Sequence, residues 1–165
     1  MAPRRHQYRT HLEWRGEPGT TAYDAYSRDH RIQAPGKPDL LLSSDASFRG
    51  DASRYNPEDL LVASLSSCHM LWYLHLCARA GIVVVAYSDE AEGTLVEDAK
   101  TGGKFERVVL HPSVTIERGE TAKALELHHE AHRLCFVANS VNFPVECVPT
   151  ITVAQKAVAA SQESR

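Results

Sequence analysis

Two cysteines lie beside residues that could make a thiol reactive. Cys68 is preceded by two serines and followed by His69. Cys135 follows His128 and His132 at the i, i+4, i+7 spacing that places three side chains on one face of a helix. Basic groups near a thiol favour the thiolate, which is the nucleophilic form. Both cysteines are therefore candidate nucleophiles. The ordinary alternatives are a packed cysteine at position 68 and solvated histidines in the second segment.

The other two cysteines carry weaker signals. Cys77 has leucine, tyrosine and alanine neighbours, and we interpret it as a packing residue. Cys147 precedes a Val-Pro pair near the expected start of a strand and shows no chemical pattern. No Cys-x-x-Cys pair occurs, which argues against a zinc knuckle and against a thioredoxin-type motif.

Four charged residues are further candidates for a functional site: Glu58, Arg28, Arg49 and Arg54. Taken alone, Glu58 is an acid in the first turn of a predicted helix, where the helix dipole favours it. The arginines alone are ordinary surface charges.

The strongest local pattern predicts a long helix over about residues 57–80. Asn56 is a good N-cap, Pro57 suits the first helical position, and Gly81 suits the residue after the last turn. The stretch between them is almost uncharged until Arg79 and is apolar on nearly every face. Such a helix must be enclosed by other elements, and its Ser, His and Cys content does not suit a membrane span.

The remaining elements are expected to be mainly strands. Alternating patterns and turn signals predict N-terminal strands within about residues 6–45, including 8–14 and 21–30. The other expected elements are strands over 82–87, 91–97, 105–110 and 113–117, a second helix over about 120–137, and a last strand over about 149–158. Runs of strands separated by two helices predict an α+β fold.

The composition indicates one globular domain over residues 1–165. Apolar residues make up 43% of the chain and charged residues 24%, and the net charge is −3. That charge gives no reason to expect nucleic acid or an anionic membrane as a partner. No secretory signal is recognisable at the N-terminus, so we expect a cytoplasmic protein, and we expect no cofactor.

The motifs together resemble those of the OsmC/Ohr proteins. Residues 56–68, from the Asn-Pro-Glu of the helix start to Cys68, resemble that family's Asn-Pro-Glu-x-Leu…Cys signature with the same glutamate-to-cysteine spacing. Residues 131–139, which contain Cys135, resemble the second cysteine motif, although Phe136 stands where the family usually has proline. The resemblance implies antiparallel sheets wrapped around a long central helix, an intertwined homodimer, and reduction of organic hydroperoxides with a dithiol reductant.

The resemblance also implies roles for individual residues. Cys68 would be the peroxidatic thiolate and Cys135 the resolving thiol, joined in a disulfide intermediate. Glu58 would hold an arginine that stabilises the thiolate and the departing oxygen. Arg49 is the better match to that arginine and Arg28 the second.

Helix geometry adds a consequence for Glu58. Ten residues separate Glu58 from Cys68, which corresponds to about 15 Å of rise in a straight helix. Their side chains cannot meet within one such helix. We therefore favour a site in which Glu58 comes from the partner subunit, unless a long arginine bridges the gap.

Two other functions remain open at this stage. The first is a non-catalytic or vestigial protein of the same fold that binds an apolar ligand at the dimer cleft. The second is a metal site formed by His128, His132 and Cys135, with or without Cys68. One helix stripe and a distant cysteine are weak spacing evidence for a metal, so no metal ligand is assigned.

Overall fold

The computed structural model describes residues 3–155 of the chain. They form two compact units, one over residues 3–61 and the other over residues 62–155. We refer to them as the first and second units.

The first unit contains a three-stranded antiparallel sheet in the order β1-β2-β3. Its strands are β1 (His11–Glu13), β2 (His30–Gln33) and β3 (Leu40–Leu42). The segment 21–29, where a strand was expected, consists of turns and bends. The physical reason is local: the Arg28 guanidinium donates hydrogen bonds to the carbonyl oxygens of Tyr23 and Tyr26 and so folds this segment back on itself.

Helix α1 spans Pro57–Arg79. The Asn56 side chain accepts a hydrogen bond from the Asp59 N–H at 2.7 Å, and the Asp59 carboxylate accepts one from the Asn56 N–H at 3.3 Å. This reciprocal pair satisfies two backbone donors that the first turn leaves free. At the other end, Gly81 adopts the left-handed conformation that stops a helix at little cost.

The buried side chains of α1 recur every four residues and so form one stripe: Leu65, His69, Tyr73 and Cys77. The expected all-round enclosure is therefore not found within a single chain, since Leu71 remains 61% exposed. By length and composition α1 could also cross a membrane. An 18-residue stretch of it has a mean hydropathy of 1.4, and 22% of that stretch is buried. Core helices of soluble proteins pass the same test.

The second unit contains two further three-stranded sheets. One has the order β4-β7-β9, with β4 at Val83–Asp89, β7 at Pro112–Arg118 and β9 at Thr150–Val153. The other has the order β5-β6-β8, with β5 at Glu92–Val96, β6 at Lys104–Leu110 and β8 at Val145–Cys147. Strand β8 was not predicted, and residues 156–158 of the expected last strand lie outside the described residues.

Both of these sheets are mixed, whereas the resemblance implied antiparallel sheets. The β4–β7 and β5–β6 pairs are antiparallel, but β8 joins β6 and β9 joins β7 in parallel. The parallel pairs are possible because the chain passes through a helix between them, which supplies the long crossover that a parallel connection needs.

That helix, α2, spans Thr121–Leu134 and ends earlier than expected. Cys135 follows it with an extended backbone (φ −67°, ψ 112°), so this cysteine lies at the helix end and not within the helix. The main core joins α1, α2 and β7, with Cys77 among its fully packed members, as predicted. The others are Tyr73, Ile82, Val114, Ile116, Ala124, Leu127 and Ala131.

Candidate functional site

The thiols of Cys68 and Cys135 are close enough for the Cys68 thiol to raise the pKa of Cys135. Cys68 projects from α1 and is half-buried, whereas Cys135, just after α2, is only 1% exposed. Both are free thiols. Two thiols that are far apart in sequence therefore lie close together, and they differ in their access to solvent.

Burial controls the protonation of Cys135. The pKa of the Cys135 thiol is raised to about 11, mainly by burial and in smaller part by Cys68, while the backbone N–H groups of Ala138 and Val137 lower it. That N–H donates a hydrogen bond to Cys135 Sγ at 3.4 Å. At neutral pH Cys135 is therefore a thiol that holds its proton.

Phe136 occupies the position after the second cysteine. Its ring is 69% exposed and lies edge-on to Trp72, with a centroid separation of 5.4 Å. This contact joins the end of α2 to α1 one helical turn beyond Cys68.

A second cluster in the same unit consists of two histidines and Cys147. His69 Nε2 and His128 Nδ1 are 2.9 Å apart. Cys147 Sγ lies 3.5 Å from His69 Nε2 and 4.0 Å from His128 Nδ1. Both histidines are buried, at 1% and 2% exposure, and Cys147 is half-buried at the end of β8. Helices α1 and α2 thus contribute to both clusters.

The buried histidines are neutral at physiological pH. Burial lowers the pKa of His69 to about 4, helped by the charge of His132 and opposed by Asp89. Burial lowers the pKa of His128 to about 3, and the neighbouring His69 and His129 add to the effect. The expectation that His128 would help to charge a basic stripe beside Cys135 is therefore wrong, because desolvation removes its proton.

Cys147 is kept protonated by its surroundings. Burial raises the pKa of its thiol to about 12, and the Asp89 carboxylate adds to this effect. Asp89 is itself fixed, because it accepts hydrogen bonds from the Ser66 hydroxyl at 2.5 Å and from the His111 N–H at 2.7 Å.

The structure brings together a different set of potential metal ligands from the set considered from sequence. Within residues 3–155, the one set of three potential ligand atoms that converges is that of His69, His128 and Cys147. The sequence did not indicate Cys147, since its position beside the histidines depends on the unpredicted strand β8. It indicated His69 only as a neighbour of Cys68.

Arg28 lies in an aromatic environment within the first unit. Its guanidinium stacks over the rings of Tyr26 and Tyr23, at 4.0 and 4.7 Å from their centroids. Arg28 also lines a mainly apolar cavity of about 290 Å³ together with Leu12 and Trp14.

Within the described part of the chain, Glu58 and Arg49 form no ion pair with each other. Glu58 is half-buried in the first turn of α1 and forms no ion pair there. Arg49 is exposed and has the left-handed backbone conformation (φ 66°) at the end of a short 3₁₀ turn. Arg54, five residues after Arg49, forms ion pairs with Asp29 and Asp51, each at 3.4 Å.

Solved structures match this fold over nearly its whole length. An OsmC-like protein of unknown function from Vibrio cholerae is 29% identical, with a TM-score of 0.80, and the match covers 88% of this chain and 100% of that one. An organic hydroperoxide resistance protein from Legionella pneumophila is 22% identical, with a TM-score of 0.65 and coverage of 90% and 100%. The organic hydroperoxide resistance protein OhrB of Bacillus subtilis is 18% identical, with a TM-score of 0.59 and coverage of 89% and 98%. These matches define a mixed α/β fold of the OsmC/Ohr class.

The family follows from the sequence match. The family model described as OsmC-like protein matches residues 50–149, and the chain belongs to this family. No curated protein matches the sequence significantly.

Proposed function

We propose that the protein is a thiol peroxidase that reduces organic hydroperoxides through Cys68 and Cys135. The observation that carries the proposal is the proximity of these two thiols, which is close enough to shift the pKa of Cys135, in a chain of the OsmC-like family. The names of the Legionella and Bacillus structures, which refer to organic hydroperoxide resistance, point to the same substrate class.

The different exposures of the two thiols support a division of roles. Cys68 is the more accessible and is the peroxidatic residue in this proposal. Cys135 is buried and the pKa of its thiol is raised. These properties suit a thiol that reacts only after Cys68 has been oxidised. A buried, protonated thiol reacts poorly with peroxide itself, because the thiolate is the nucleophile.

The proposed reaction has two steps before a reductant restores the thiols. The Cys68 thiolate attacks the terminal oxygen of the hydroperoxide; the O–O bond breaks, and the leaving alkoxide takes a proton to become an alcohol. Cys68 is then a sulfenic acid. The Cys135 sulfur attacks it, the S–O bond breaks, and the hydroxyl leaves as water with the Cys135 proton. Two thiols have then supplied the two electrons, and a dithiol reductant restores them by exchange.

An arginine would stabilise the Cys68 thiolate and the departing alkoxide. Arg49 and Arg28 stay our candidates, and Glu58 is proposed to orient the arginine by a planar ion pair. Glu58 has no ion pair within the described residues, so its carboxylate is available for a partner. The helix distance of about 15 Å between Glu58 and Cys68 supports a Glu58 supplied by a second subunit.

A homodimer is the assembly that we propose for this site. In the isolated chain α1 buries the side chains of only one stripe. Leu71, on this largely apolar helix, stays 61% exposed. A second copy would cover this surface. Sedimentation equilibrium tests the assembly, and a monomer at micromolar concentration contradicts it. We also place the protein in the cytoplasm, where thiols are kept reduced.

The test is stoichiometric oxidation of the reduced protein with tert-butyl hydroperoxide, followed by mapping of the crosslink. Trypsin alone cannot map it, because one tryptic peptide holds Cys68 with Cys77 and another holds Cys135 with Cys147. Cleavage after Glu146 separates the second pair, and chymotryptic cleavage after Trp72 or Tyr73 separates the first.

We expect one equivalent of peroxide to yield one Cys68–Cys135 disulfide. A crosslink between other cysteines would contradict the assigned pair. Absence of any peroxide-dependent disulfide would contradict the peroxidase and favour the non-catalytic alternative.

A further inference from the structure

We propose that His69, His128 and Cys147 form a binding site for Zn²⁺ in the second unit. The proposed ligand atoms are His69 Nε2, His128 Nδ1 and Cys147 Sγ. All three lie within 4.8 Å of one another. Imidazole nitrogen and thiolate sulfur are the ligands that zinc prefers in proteins.

The distances between these atoms fit a shared cation. Zn–N bonds of about 2.0–2.1 Å and Zn–S bonds of about 2.3 Å at tetrahedral angles imply ligand separations of about 3.4 Å for N–N and about 3.6 Å for N–S. The N–S separations here are 3.5 and 4.0 Å, and the N–N separation is 2.9 Å. Around a tetrahedral cation the N–N separation would widen by about 0.5 Å, and the longer N–S separation would shorten by about 0.4 Å.

The hydrogen-bonding capacity of the two buried histidines is only partly used. Within the described residues, the outer nitrogens His69 Nδ1 and His128 Nε2 are buried and have no hydrogen-bond partner. The inner nitrogens share a single hydrogen bond. Buried polar atoms in native proteins are nearly always satisfied, so this pair of imidazoles is not an ordinary element of an apolar core. A cation would bind the lone pairs of the two inner nitrogens and of the Cys147 thiolate, and each outer nitrogen would then carry the ring hydrogen.

The three ligands come from three rigid elements, α1, α2 and β8. The Tyr73 ring stacks on the His128 ring with a centroid separation of 3.8 Å and an interplanar angle of 14°, which fixes the orientation of that imidazole. A site assembled in this way is largely formed before the cation arrives.

The local charges balance around a divalent cation. Binding displaces the Cys147 proton, so the site supplies one negative charge as thiolate. Asp89, which acts on Cys147 electrostatically, supplies a second. The two histidines bind in the neutral form, and one proton is released for each cation bound.

A cavity gives the cation access. It measures about 360 Å³ and is lined by His128, Cys147, His132 and Glu146, among others. The fourth coordination position is therefore open to water or to a side chain from this cavity.

The experiment is a titration of the reduced apo-protein with Co²⁺, followed by competition with Zn²⁺. Tetrahedral cobalt bound to thiolate gives visible ligand-field bands and a near-ultraviolet sulfur-to-cobalt charge-transfer band. We expect both bands to saturate at one Co²⁺ per chain and to disappear when Zn²⁺ is added. In Cys147→Ser the charge-transfer band should be lost, and Zn²⁺ affinity should fall by more than the roughly 10–100-fold that changes around a ligand cause.

Cys68→Ser and Cys135→Ser are the matched controls, because they remove a thiol from the neighbouring pair and should keep both bands. His69→Gln provides a second test of the ligand set: it should weaken Zn²⁺ binding while circular dichroism reports the fold.

Two results overturn the site itself. One is a wild-type protein that binds no Co²⁺ or Zn²⁺ at stoichiometric concentration. The other is a charge-transfer band that survives Cys147→Ser but is lost in Cys68→Ser, which would place the metal at the thiol pair. The inference does not depend on the peroxidase proposal, because it is read out without peroxide.

Discussion

The two thiol clusters of the second unit share their framework but differ in their surroundings. Helix α1 supplies Cys68 to one and His69 to the other, so consecutive residues enter different environments. At the first cluster, a half-buried thiol lies close to a buried one. At the second, two buried imidazoles meet a protonated thiol beside a carboxylate. Exposure and neighbours, more than residue type, separate a thiol suited to attack from one suited to hold a cation.

The largest effect that tests this contrast is expected for Cys68→Ser. A hydroxyl is a far weaker nucleophile than a thiolate, so turnover with tert-butyl hydroperoxide should fall by at least about 1000-fold. Peroxide consumption in the presence of dithiothreitol measures it. Cys77→Ala, which removes a packed cysteine, is the matched control and should retain activity once folding is verified. Comparable loss in both variants would contradict the role of Cys68.

Cys135→Ser should separate the two steps. The first oxidation of Cys68 needs no second thiol, so one equivalent of peroxide should still be consumed. The sulfenic acid should then persist because no neighbouring thiol attacks it. Trapping with dimedone and mass measurement detects it. Wild-type protein treated in the same way should give disulfide and little adduct, and an equal adduct in both would show that Cys135 does not resolve the intermediate.

Acid should destabilise the metal-free protein through the second cluster. His69 and His128 have folded-state pKa values lowered to about 4 and about 3, against 6.5 for the free side chain. The unfolded chain therefore binds more protons below pH 6.5, and the free energy of unfolding falls as the pH drops towards the folded values. Between pH 7 and pH 5 the loss should be about 2 kcal/mol for each histidine.

Urea unfolding at a series of pH values measures this loss in the apo-protein. His128→Gln should make the dependence shallower if the variant folds. Histidine proton resonances of the wild type give an independent check, because two histidines should not titrate above pH 5. If all histidines titrate near pH 6.5, the buried pair does not exist in solution.

The smallest effect is expected for Phe136→Ala. The Phe136 ring is mostly exposed and contacts Trp72 by an edge. Its removal should cost no more than about 1 kcal/mol of stability, and formation of the Cys68–Cys135 disulfide should slow by less than about threefold. Stopped-flow oxidation with one equivalent of peroxide measures the rate. A much larger loss would show that this residue does position Cys135.

The local part of the fold was predictable from sequence because its causes are local. The capping pair of Asn56 and Asp59 and the glycine at position 81 define the ends of α1 within one residue of the expected limits. The cysteine motif around Cys68 identified the family. By contrast, β8 was missed, because three residues that pair in parallel with a distant strand carry no periodic pattern of their own.

For the candidate site, the sequence by itself determined which residues are chemically capable and that Cys77 packs in the core. The tertiary structure decided the rest. It brought Cys68 to Cys135, buried the histidines so that they are neutral, and placed Cys147 beside them. The reason is physical: helix caps and periodicity act over a few residues, whereas desolvation and the convergence of side chains from α1, α2 and β8 depend on how distant segments pack.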